Sequence, residues 1–106
     1  MDEAKGNWVT GNLLELEGRL DQCTVTAVRR DTDAALIGKL ANPGKVVVDF
    51  SGVTRADSAA LSLILHWMRL SRAGSGTLEL AALPEQIRAL ARTSRMEHYL
   101  VSDKDG

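Results

Sequence analysis

Two apolar segments of different periodicity, one feeding directly into the other, constrain this chain more than any other feature. Val46-Val47-Val48-Asp49-Phe50 is a valine-rich run interrupted only by Asp49. Its β-branched side chains favour extended backbone, and a near-continuous apolar run suits a strand buried on both faces. A short polar loop then leads to Asp57-Ser58. Beyond it, Ala59-Ala60-Leu61-Ser62-Leu63-Ile64-Leu65-His66-Trp67-Met68-Arg69-Leu70 carries apolar residues at helical spacing. The helix starts near Ser58 and ends near Arg72, where Ala73-Gly74-Ser75-Gly76 terminates it.

The flanking sequence repeats this alternation. Trp8-Val9-Thr10 and the stretch 13–17 read as strands around the turn signal Thr10-Gly11-Asn12, which predicts a hairpin. Asp21 or Thr24 is placed to cap a first helix running through Val25, Val28, Leu36 and Ile37 towards Leu40. Asp31-Thr32-Asp33 leaves two options open, a single helix or a loop followed by a helix. Asn42-Pro43-Gly44 is a break, the stretch 77–81 is a further strand, and Pro84-Glu85 opens a helix reaching Thr93 or Ser94. A hairpin followed by alternating helices and strands implies an α/β domain, a mixed sheet with helices packed on it. The expected domain covers 7–101, between loose tails at 1–6 and 102–106.

Composition narrows the function classes. A chain of 106 residues, 44% hydrophobic and 25% charged, is one ordinary globular domain. Its net charge of −1 offers no electrostatic case for nucleic acid or an anionic membrane. The single Cys23 cannot close an internal disulfide, which suits a reducing compartment. No run approaches the roughly 18 apolar residues of a membrane span, and the polar N-terminus lacks a signal peptide's apolar segment. The expected location is cytoplasmic, with any membrane association supplied by a partner.

Catalytic and cofactor readings find little support. Asp57-Ser58-Ala59-Ala60 lacks the Gly-x-Ser-x-Gly elbow of a hydrolase. His66 lies two turns along the helix, roughly 12 Å from Ser58 by rise, beyond a general base's reach. There is no phosphate-binding loop, and Cys23, His66 and His98 lack metal-ligand spacing. The chain is expected to be no enzyme and to hold no cofactor or metal. Arg88, Arg92 and Arg95 share one helical stripe, read as a solvated face or a contact to an acidic partner.

Asp57 and Ser58 stand at a helix N-terminus, where side-chain oxygens accept from unpaired backbone N–H groups. A hydroxyl there can act as a cap, a partner contact or a phosphorylation site. Stepping about 100° per residue puts Ser58, Ser62, His66 and Arg69 on one polar stripe. Ala60, Leu61, Ile64 and Met68 make a core face. Ala59, Leu63, Trp67 and Leu70 make a second apolar edge, which either packs under the first helix or lies exposed as a partner patch anchored on Trp67.

Asp49-Phe50-Ser51 followed by Asp57-Ser58-Ala59-Ala60-Leu61 resembles the signature of STAS domains, the sulfate-transporter and anti-sigma-factor-antagonist modules. The Leu-rich helix 61–70, Thr77-Leu78-Glu79-Leu80 and Ala89-Leu90-Ala91-Arg92 resemble one branch most. That branch is the MlaB-type subunit of the Mla, or toluene-tolerance, phospholipid ABC transporter. The resemblance implies a single STAS domain that binds the transporter's ATPase and, through it, the membrane permease. It implies a peripheral position at the inner membrane and a role in outer-membrane lipid asymmetry. The resemblance puts the Ser58 hydroxyl at the ATPase interface, and with the preceding loop and the apolar helix edge the expected contact set is Thr54, Arg55, Asp57, Ser58, Ala59, Leu63 and Trp67. The alternative implied by the wider family is an anti-sigma-factor antagonist switched by phosphorylation of Ser58. Such antagonists commonly carry Gly where this chain has Ala60. A free-standing lipid or small-ligand binder has no support beyond the surplus apolar helix surface.

Overall fold

Strand β1 (Lys5–Thr10) turns through Gly11-Asn12 into β2 (Leu13–Leu20), and the two pair antiparallel. Helix α1 (Val25–Leu40) crosses to β3 (Lys45–Ala56), and α2 (Ser58–Ala73) crosses to β4 (Thr77–Ala81). Helix α3 (Glu85–Thr93) follows. Sheet order is β1-β2-β3-β4, with β2, β3 and β4 parallel. The computed structural model describes residues 4–95, so the expected tail at 102–106 and His98 lie outside the described residues. The mixed sheet with alternating helices is the architecture expected from the sequence. The N-terminal boundary is corrected: Lys5 and Gly6 are strand residues, opposite Glu17 and Leu16.

Strand β3 differs from expectation in two ways. Its buried residues alternate, with Val46, Val48 and Phe50 inside and Val47 and Asp49 half-buried, so it is covered mainly on one face. It also continues to Ala56 where a loop was expected. Two register shifts against β2, between Asp49 and Gly52 and between Val53 and Arg55, are β-bulges that each insert one residue. The bulges keep Val53 and Ala56 on the side of Val46, Val48 and Phe50, opposite Gly18 and Leu20. Gly52 is required at the first: a Cβ would sit 2.9 Å from the Leu16 carbonyl oxygen.

Helix α1 is continuous through Asp31-Thr32-Asp33 because two members of the triplet find partners on the helix itself or the next one. The buried Thr32 hydroxyl donates to the Val28 carbonyl at 2.8 Å, and Asp33 accepts from His66 of α2 at 2.8 Å. The α2–β4 turn seals the other end of α1. The Gly76 amide donates to the Leu40 carbonyl at 2.8 Å, satisfying one of the acceptors left over at a helix C-terminus. The core joins Leu14, Leu16, Val48, Phe50, Ile64 and Trp67 in one cluster, closed by Ile87 and Ala91 of α3.

Candidate functional site

Parallel strands β2 and β3 end side by side, Leu20 opposite Ala56, so the N-termini of α1 and α2 emerge together at one edge. In open α/β sheets this carboxyl edge is the usual place for recognition. Asp57 organises it. Its extended backbone (φ −129°, ψ −167°) makes it the N-cap of α2, where its Oδ1 accepts from the Ala59 amide at 2.8 Å. Its Oδ2 accepts from the Gln22 amide at 3.3 Å and holds the β2–α1 loop against α2.

That loop is itself tightly bonded. Arg19 pairs with Asp21 at 2.7 Å, and the Cys23 amide donates to Asp21 at 2.9 Å. Thr24 sits at the N-cap of α1 but gives it no side-chain bond. Instead its buried hydroxyl donates to the Arg19 carbonyl at 2.8 Å and accepts from the Asp21 amide at 3.0 Å.

Ser58 occupies the first helical position, exposed, and its hydroxyl has no hydrogen-bond partner among the described residues. The cap is therefore Asp57, and the Ser58 hydroxyl is left facing solvent beside the positive end of the helix. Thr54 and Arg55 are exposed on the strand just before it, and Ala59 is half-buried. Asp49 is not part of this group. It lies near the middle of β3, on the order of 20 Å from Ser58 by strand rise, with its carboxylate accepting from the Ser51 amide at 2.8 Å.

Two expected contact residues are buried, Leu63 edging a groove between α1 and α2 and Trp67 wholly enclosed. Trp67 is 0% and Leu63 4% exposed, both within the core. Helix α1 packs on this edge of α2, and the Asp33–His66 hydrogen bond joins the two helices there. Trp67 thus presents no surface to a partner. The polar stripe runs as expected through Ser58, Ser62 and Arg69, all exposed. Residues of α1 missed by the sequence reading, Thr26 and Arg29, face α2 across a shallow groove that also borders Ser62 and His66. The signal for them was weak, because nothing local in either helix says which faces meet.

Among the described residues, no cluster of His, Cys, Asp or Glu could hold a metal ion. No helix of the described residues is long and apolar enough to cross a membrane. The profile of the family described as Mlab, STAS domain, matches residues 10–102, which take in β2, β3, β4, all three helices and the Asp57-Ser58 edge. The chain belongs to the MlaB-type STAS domain family.

Solved structures agree on the fold of this STAS domain. The anti-sigma factor antagonist SpoIIAA in its unphosphorylated form is similar at 22% identity and a TM-score of 0.63, over 84% of this chain and 81% of that one. The Bacillus cell fate determinant SpoIIAA in the phosphorylated form is similar at 21% identity and a TM-score of 0.66, over 96% and 94%. No curated protein matches the chain in sequence.

Proposed function

We propose that this STAS domain is a non-catalytic subunit that binds and regulates the ATPase of a phospholipid-transporting ABC complex. The observation that carries this reading is the MlaB-type family match over residues 10–102. The partner is the ATPase subunit and, through it, the membrane permease. The domain sits on the cytoplasmic side of the inner membrane, held there by that complex, and serves outer-membrane lipid asymmetry. The exposed Ser58, the neighbouring Thr54 and Arg55, and the Asp57-anchored loop supply the contact surface. A binding subunit acts on an ATPase by favouring one of its conformations, through tighter binding to that state.

The test is affinity capture of the tagged full chain from its host, followed by calorimetry with the purified ATPase. Co-purification of an ABC ATPase with its permease, and saturable binding in vitro, is the expected result. Ser58→Asp places a charge against a surface complementary to a hydroxyl and should weaken binding at least about tenfold, whereas Ser58→Ala should not. Recovery of a kinase-like anti-sigma factor instead, with phosphate on Ser58, would replace this reading with partner switching.

A further inference from the structure

A groove of about 110 Å³ opens between α1 and α2, beginning at Ala59 beside Ser58. Val25 and Leu63 form its apolar wall, and Thr26, Arg29, Ser62 and His66 its polar one. The volume is well below the roughly 300–1,000 Å³ of small-molecule sites, and it suits a single side chain.

Arg29 is the residue of the lining that always carries a charge, and no carboxylate is among the lining residues. The adjacent acid, Asp33, is already engaged. Its Oδ2 takes His66 Nε2 at 2.8 Å and Arg29 Nε at 3.4 Å, and its Oδ1 is buried. Asp33 therefore steadies Arg29 through the Nε edge. The terminal guanidinium nitrogens have no partner among the described residues. Those nitrogens are the fork that recognises a carboxylate through paired hydrogen bonds. The hydroxyls of Thr26 and Ser62 bring further donors to the same rim.

We propose that this groove receives an aspartate or glutamate side chain of the protein that docks on the Ser58 face. The identity of that protein rests on the reading above, and the chemistry of the groove does not. Calorimetry of the full chain with the ATPase, at about 50 and 300 mM NaCl, reads both. Arg29→Gln should bind roughly tenfold more weakly, Arg29→Glu roughly a hundredfold, and Arg29→Lys should recover much of the loss. Unchanged melting temperatures establish that the variants fold. Wild-type binding with Arg29→Gln and Arg29→Glu both within about twofold of it would overturn the groove while sparing the partner assignment.

If the wild type does not bind the ATPase, the assignment fails and a second measurement decides the groove. Amide NMR shifts are followed during titration with N-acetyl-glutamate methylamide and its glutamine counterpart. Shifts at Thr26, Arg29, Ser62 and His66 that are specific to glutamate and vanish in Arg29→Gln support it. Equal shifts with both compounds, or none, overturn it.

Discussion

Asp57 serves two backbone amides with one carboxylate, those of Ala59 within α2 and Gln22 across the edge. Loss of an N-cap typically costs about 0.5–2 kcal/mol, and Asp57→Ala should reach the upper part of that range because the loop loses its anchor too. Asp57→Asn keeps one acceptor oxygen for the Ala59 amide but turns an NH2 donor toward the Gln22 amide, so it should fall between wild type and Asp57→Ala in urea unfolding, losing about 0.5–1 kcal/mol. If both variants lost equal stability, the charge rather than the hydrogen-bond geometry would be the stabilising element. Trp67 belongs to the opposite category, a side chain that matters for folding alone. Its indole N–H is buried without a hydrogen-bond partner among the described residues, so packing holds it. Trp67→Ala should cost about 3–5 kcal/mol, and Trp67→Phe, which retains most of the volume and removes the unpaired donor, much less. Any folded Trp67 variant should bind the ATPase as the wild type does, and weakened binding by a stable one would return Trp67 to the interface.

Element by element, what could be read in the sequence depended on whether local pattern decided the outcome. The hairpin, the three helices and the fourth strand follow from turn residues and spacing within each segment. Residues 51–56 do not. Ser51-Gly52 and Thr54-Arg55 break the two-residue alternation that marks a strand, and only pairing with the distant β2 carries the chain through as bulges. Asp57 and Ser58 stood out from sequence as residues of a helix start. Thr26 and Arg29 did not, because their role depends on how α1 lies across α2. The junction between α2 and β4 is equally non-local. A Cβ on Gly74 would overlap the Leu40 carbonyl oxygen at the end of α1, backbone that cannot yield without moving the helix. Gly74→Ala should therefore destabilise by about 1–3 kcal/mol in chemical denaturation, more than alanine usually costs at an open turn. Gly38→Ala on the exposed face of α1, where a Cβ meets nothing within 4 Å, should instead stabilise by about 0.4–1 kcal/mol.

The whole molecule separates its surfaces by chemistry. The edge where β2 and β3 end carries Ser58, Thr54, Arg55 and, starting at Ala59, the Arg29 groove between α1 and α2. Away from it, the sheet residues alternating with the core side chains include the polar, exposed Lys5, Asn7, Glu15 and Glu17, beside the exposed Val9. Lys5 pairs with Glu17 at 3.5 Å across the hairpin, and Asn7 donates to the same carboxylate at 3.3 Å. Exposed pairs of this kind contribute little to stability, and charges a Debye length or more from a docking edge are largely screened at physiological salt. Glu15 has no partner of its own in this set, which makes it a clean control. Glu15→Lys shifts the net charge by two, the same change as Arg29→Glu in the opposite direction. If a partner were drawn to the domain by net charge alone, the two substitutions would alter affinity by similar amounts with opposite sign. Docking at the helix N-terminal edge predicts an asymmetric outcome in calorimetry at about 150 mM salt: Arg29→Glu weakens binding strongly and Glu15→Lys moves it by less than about twofold. A large effect of Glu15→Lys would place the partner on the sheet, and the Ser58 edge would then lose its claim as the contact surface.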